Sequence, residues 1–186
     1  MPKFPVLILV PHGGYRIPEE LEEVVSLDNN DLLLSADTGA NDIFAFDTCT
    51  VLNTHLSRLF VDLDRAPLDL NLRSSDGVMK THSFFGYNIF EGELFPDHIA
   101  IANILKRHYA PFYDAVRKIL STGEIKLVME CHTVAAVGPR DAADRDIPRP
   151  LISVSRFREA KDEKKECCPL PIAETVISNL AKSFSH

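Results

Sequence analysis

Apolar residues in this chain fall into short unbroken runs that end in polar clusters. The first, Val6-Leu7-Ile8-Leu9, leads directly into Val10-Pro11-His12-Gly13-Gly14. A continuous aliphatic run of this kind predicts a strand over about residues 5 to 10, buried on both faces as in a parallel sheet. A second run, Lys126-Leu127-Val128-Met129, ends in Glu130-Cys131-His132 and predicts another such strand. Arg58-Leu59-Phe60-Val61-Asp62-Leu63 and Leu151-Ile152-Ser153-Val154 read as two further strands.

Between the runs the spacing turns helical. A short helix is expected near Glu19 to Val25, and a weakly amphipathic one opens at Asp37-Thr38-Gly39-Ala40 and runs through Ile43, Phe44 and Phe46. Asp97 reads as an N-cap, with Ile99, Ala102, Leu105 and Tyr109 following at helical spacing. Pro111 should kink or divide that helix before Phe112, Val116, Ile119 and Leu120 resume its apolar face, and Gly123 ends it. A last helix begins at Pro171 and sets Ile172, Val176, Leu180 and Phe184 on one side. Residues 66 to 96 form a long irregular segment rich in Phe, Tyr and Gly, and residues 134 to 150 form another, rich in charge and proline. Strands alternating with helices predict an α/β fold, a three-layer α/β/α sandwich on a mixed, mostly parallel sheet. At 186 residues, without repeats or linkers, one domain spanning 1–186 is expected.

Composition narrows the function classes. The net charge of -7, without a Lys/Arg cluster, argues against nucleic-acid binding. No stretch approaches the roughly 18 to 20 apolar residues of a membrane span. The opening Met1-Pro2-Lys3-Phe4-Pro5 carries no charged leader, so the expected location is the cytoplasm. The four cysteines, at 49, 131, 167 and 168, show no Cys-x-x-Cys spacing and are expected as reduced thiols. Neither a Gly-x-Gly-x-x-Gly nor a Gly-x-x-x-x-Gly-Lys loop is present, which disfavours a nucleotide enzyme.

Chemistry is concentrated at the strand ends. Ligands of parallel sheets bind beyond the carboxyl ends of the strands, where His12 and His132 both fall. Two histidines in matching positions point to a metal site on the sheet edge. Zinc in hydrolases takes three protein ligands from His and Asp/Glu and leaves a fourth position for water. The third ligand should be a loop carboxylate, with Asp37 the first choice and Asp42, Asp62 and Asp64 the alternatives; Asp37 could equally serve as an N-cap. Glu130 lies two residues before His132, so in a strand both side chains point the same way. It is a candidate ligand-orienting group or proton shuttle. Arg65 and Arg58 flank the strand predicted at 58–63 and could grip a substrate carboxylate. His82 in the aromatic segment and Arg140 in the charged one are further candidate substrate contacts.

In order and spacing these pieces resemble the N-formylglutamate amidohydrolase family, within the zinc carboxypeptidase-like hydrolases. Pro11-His12-Gly13-Gly14 stands for Pro-His-Ser-Gly, followed by Ser35-x-Asp37. Val61-Asp62-Leu63-Asp64-Arg65 stands for Val-Asp-x-Asn-Arg, Tyr109-Ala110-Pro111-Phe112-Tyr113 for a Tyr/His-x-Pro-Tyr-His helix, and Glu130-Cys131-His132-Thr133 for Asp-x-His-Ser. The resemblance, over about residues 5 to 155, implies one zinc ion held by His12, Asp37 and His132, with Arg65 anchoring a carboxylate. It implies hydrolysis of an amide in a small carboxylate-bearing substrate such as an N-formyl or N-acyl amino acid. The chain departs from the pattern at Asp64, Glu130 and Thr133. It lacks the family's Asn-x-Pro-Tyr-x-Gly-Gly segment and its late strand with a glutamate, leaving Glu130 as the candidate base. The alternative expectation is a shortened relative that binds zinc or a small anionic ligand without turnover.

Overall fold

The computed structural model of the chain describes residues 4–70, 77–92, 94–138, 144–160 and 163–184. The fold is α/β, organised by a three-stranded, wholly parallel sheet in the order β2-β1-β3. β1 (Val6–Val10) is central; β2 (Thr50–Asn53) and β3 (Leu127–Glu130) flank it. Val6, Ile8 and Val10 alternate onto one face of β1. There they join Val51, Met129, Cys131 and Ala40, the last from the short helix α2 (Ala40–Ile43).

Helices over residues 29–35, 98–104 and 110–120 build a second, larger core with the loops between them. α1 (Asn29–Ser35) starts at a reciprocal cap: Asp28 Oδ1 accepts from the Asp31 amide at 2.8 Å, and Asp31 Oδ2 accepts from the Asp28 amide. α3 (His98–Ile104) is capped as expected by Asp97, which accepts from the Ala100 amide. Between α3 and α4 (Ala110–Leu120) lies a π-helical turn, Leu105–Tyr109. Pro111 has no amide proton to return to the Arg107 carbonyl. The predicted kink is therefore realised as a widened turn inside one continuous helical path. Ile101 and Ile104 from α3 pack with Leu21, Leu32, Leu59, Phe60, Met79 and Ile89.

Several expected elements are corrected. Residues 58–63 form no strand: Phe60 and Val61 both donate to the Ser57 carbonyl, winding the run into turns while Leu59, Phe60, Val61 and Leu63 stay buried. Periodicity alone does not separate a short buried strand from a buried turn. The strand beside β1 is β2, which the sequence reading missed. Residues 151–154 are not a strand either, and Leu151 is 84% exposed. An antiparallel hairpin, β4 (Phe157–Ala160) with β5 (Glu163–Glu166), follows instead. The helix expected near 19–25 is a single 3-10 turn, Glu19–Leu21. α5 (Leu170–Phe184) turns Ala173, Val176 and Leu180 inward rather than Ile172. Among the described residues no helix is long and apolar enough to cross a membrane.

Candidate metal centre

Parallel pairing of β1 with β3 aligns Leu9 with Glu130, so the chain leaves both strands at the same edge. His12 and His132 each lie two residues past a strand end, and their ring centroids stand 4.9 Å apart. Asp37 is tied to this edge through its own backbone, its amide donating to the His12 carbonyl at 2.9 Å. The N-cap reading of Asp37 fails, because Gly39, at φ 78°, caps α2. The Asp37 carboxylate is left to face both imidazoles.

The distances describe a tight group. Asp37 Oδ2 lies 2.9 Å from His132 Nδ1 and 3.8 Å from His12 Nδ1. One ligand atom from each of the three residues falls within 4.8 Å of the others. Ligands 2.0–2.2 Å from a tetrahedral zinc sit about 3.3 Å from one another, so the spacing suits such an ion. The state of His12 strengthens the fit. Its ring is 1% exposed, and Nε2 donates to Asp62 Oδ1 at 2.7 Å. An ionised carboxylate accepts only, so in the neutral imidazole the proton sits on Nε2 and the lone pair on Nδ1. That Nδ1 is buried and has no hydrogen-bond partner. A buried ring nitrogen left in this state costs about 1–3 kcal/mol, which a cation at the Asp37–His132 position would offset.

Carboxylates stand behind both rings. Asp62, wholly buried, takes His12 on Oδ1 together with the Asp64 amide at 3.0 Å. On Oδ2 it takes Lys80 Nζ at 2.7 Å and Arg58 at 3.4 Å. Burial alone would raise its pKa, but the His12 hydrogen bond and the charges of Lys80 and Arg58 win and hold the carboxyl well below the usual range. Burial pulls the Lys80 ammonium down from its ordinary value, and Asp62 opposes that pull. On the other side, Glu130 Oε1 lies 3.0 Å from His132 Nε2. Burial favours the neutral His132 imidazole, yet hydrogen bonds to Asp37 and Glu130 raise its pKa to about 9. The same bond to His132 holds Glu130 low, while burial and the neighbouring Glu130 charge push Asp64 up.

The candidate residues separate on this map. His12, Asp37, His132 and Glu130 come together. Asp62 engages the far side of His12, Asp64 and Glu130 lie on the His132 side, and Asp42 is exposed. Arg58 bridges Asp37 (3.6 Å) and Asp62 (3.4 Å) and stacks over the Phe84 ring at 5.0 Å. Arg65, partly exposed, lies 4.0 Å from Asp64 Oδ2. Its backbone carbonyl accepts from Tyr109, and that of Leu63 accepts from Tyr113. His82 bonds to Thr81 at 2.8 Å, and none of its hydrogen bonds reaches the histidine–carboxylate group. Arg140 lies outside the described residues. The sequence reading missed Lys80, which follows Val78-Met79 in the irregular aromatic segment. Its one signal is a charge adjoining an apolar pair.

Comparisons with known proteins bear on the fold and the family. No curated protein matches the chain. Among solved structures, the fold resembles a gene product of Agrobacterium tumefaciens, with a TM-score of 0.57 and 24% identity over 74% of this chain and 55% of that one. It also resembles an N-formylglutamate amidohydrolase from Ralstonia eutropha, with a TM-score of 0.61 and 15% identity over 84% of this chain and 61% of that one. The chain thus spans little more than half the length of these structures. The model of the N-formylglutamate amidohydrolase family matches residues 4–186, and to that family the chain belongs.

Proposed function

We propose that the chain is a zinc-dependent amidohydrolase acting on a small carboxylate-bearing amide, such as an N-formyl or N-acyl amino acid. The observation that carries this reading is the unpartnered, buried His12 Nδ1, aimed at the atoms of Asp37 and His132 that could share an ion with it. Two imidazoles and one carboxylate form a donor set that suits zinc. A divalent ion held there supplies Lewis-acid polarisation of an amide carbonyl and acidifies water. His12, Asp37 and His132 would hold it. Asp62 and Glu130 orient the two rings so that their Nδ1 atoms face inward. Glu130, held in its ionised form by His132, is the proton acceptor for the attacking water and returns that proton to the leaving amine. Arg65, more exposed than Arg58, anchors the substrate carboxylate. Arg58 holds Asp37 and Asp62 in place. The family match supports amide hydrolysis, and the absence of a Lys/Arg cluster suits a small-molecule substrate, not nucleic acid.

Metal analysis of purified protein tests the centre. About one equivalent of zinc is expected after dialysis, falling below about a tenth in His12→Ala. Less than half an equivalent in wild type, unchanged by that substitution, overturns the reading. Turnover is tested with N-formyl-L-glutamate. Glu130→Gln should keep the metal and lose about 10²–10⁴-fold in kcat. A second reading, binding without turnover, is favoured by Glu130 being engaged by His132 at 3.0 Å and held low by that bond, which weakens it as a base. Zinc bound at one equivalent with no hydrolysis of N-formyl or N-acyl amino acids would select it.

A further inference from the structure

Lys80 is the least expected side chain near the centre. It is 1% exposed, donates to Asp62 Oδ2 at 2.7 Å and to the Gly77 carbonyl at 2.9 Å, and touches none of the three candidate ligands. Its backbone amide is fixed in turn by the Leu59 carbonyl, in the larger apolar core. Lysine is almost never buried this fully without a partner, and a buried ion pair is weak grounds for stability, since an apolar pair of similar volume commonly does as well. A requirement other than stability is therefore implied.

We propose that Lys80 is a positioning residue of the cation centre: by occupying Asp62 Oδ2 it orients the carboxylate so that Oδ1 is presented to His12 Nε2. The proposal rests on the reading of the centre given above. Asp62 has two oxygens and four donors around it. Lys80 and Arg58 share Oδ2, and His12 and the Asp64 amide share Oδ1. Arg58 alone cannot do the work of Lys80. At 3.4 Å it is the weaker donor to Asp62, and its guanidinium also faces Asp37 at 3.6 Å. Without the ammonium, Oδ2 keeps only the long contact to Arg58, and the carboxylate is free to rotate away from His12. The chain Lys80–Asp62–His12 thus runs from the larger apolar core to the imidazole whose buried Nδ1 has no hydrogen-bond partner. Outer partners of this kind typically account for about 10–100-fold in metal affinity.

The test uses the full chain and two readouts. In metal-free protein, long-range ¹H–¹⁵N spectra of the imidazoles should show His12 protonated on Nε2 alone in wild type, and a mixture of tautomers in Lys80→Met. Titration with zinc should show a Kd raised about 10–100-fold in Lys80→Met, with Lys80→Gln, which keeps a donor to Asp62, between the two. A folded Lys80→Met protein with the wild-type tautomer and a Kd within twofold of wild type overturns the proposal. If Lys80→Met does not fold, the double substitution Lys80→Met/Asp62→Asn removes both buried charges together. Zinc binding in the folded double variant must then be at least about tenfold weaker than in wild type, and wild-type affinity overturns the proposal. Should wild type bind no zinc at all, the centre itself is disproved, while the tautomer spectra still decide what Lys80 does to His12.

Discussion

Glu20 joins the 3-10 turn to the π-helical turn through two side chains: Arg107 Nη1 donates to it at 2.7 Å, and His108 Nε2 lies 3.2 Å away. Partial burial pushes its carboxyl up, but the Arg107 hydrogen bond, a backbone hydrogen bond and His108 together bring the pKa from 4.5 to about 2. A depressed carboxylate contributes stability that is present above its unfolded pKa and lost as pH falls towards its folded one. Metal-free protein should therefore lose stability between about pH 4.5 and 2, and Glu20→Gln should flatten that part of the profile. Urea melts at half-unit pH steps check this; identical slopes in the two proteins would show that Glu20 is uncoupled from folding. The pair is near the surface, so the effect is modest and weakens with salt. At this scale the sequence was most legible where chemistry sits beside a strand end. His12 and His132 could be found because each directly follows an apolar run. Asp62 was visible only as one of four candidate carboxylates, since nothing in one dimension separates an ion ligand from the group behind a ligand. Lys80 was illegible because its partner lies 18 positions away across a turn that has no periodic pattern.

Between elements, the glycines after β1 set how closely the His12 loop approaches the segment following β2. Gly14 pairs with Ser57, and a Cβ on Gly14 would lie 2.2 Å from the His55 carbonyl carbon and 2.6 Å from the Leu56 nitrogen. Both are backbone atoms held in that pairing, so they cannot yield cheaply. A Cβ on Gly13 would instead meet the end of the Asn41 side chain, at 2.4 Å. Asn41 can rotate at the cost of its hydrogen bond to the Thr54 carbonyl. Gly14→Ala should destabilise by about 3 kcal/mol or more and Gly13→Ala by about 1. Chemical denaturation measures both; a Gly14→Ala midpoint no lower than that of Gly13→Ala would refute the close approach. The same stretch explains the misread element. Leu59-Phe60-Val61 has the composition of a central strand, but the edge of β1 is already taken by Thr50–Asn53, three residues of intermediate burial and one exposed. Burial, not strand pairing, was what the apolar run encoded. The resemblance to a family recovered the order of the site pieces where local propensity could not.

Across the whole molecule the two apolar cores are unevenly placed. Among the described residues neither core has a member beyond Cys131, while Val134, Val137, Ile147, Leu151, Ile172 and Ile177 are exposed. α5 sinks only a narrow stripe, of which Ala173 alone is fully buried. A 15-residue helix in water is marginal without tertiary packing, so α5 should open far more easily than the sheet. The candidate ligands, by contrast, lie in the turns beside β1 and β3, where His12 and Asp37 are buried. Hydrogen exchange followed by mass spectrometry should show the amides of Leu7 to Val10 exchanging only through global unfolding, with those of α5 at least about 100-fold faster. Adding zinc should slow exchange around His12, Asp37 and His132, because an ion that binds only the folded form stabilises it by mass action, and leave α5 unchanged. Equal protection of α5 and β1 would mean that the C-terminal helix shares the cooperative core. Slowing of α5 by zinc would mean that the centre reaches further through the molecule than its hydrogen bonds do.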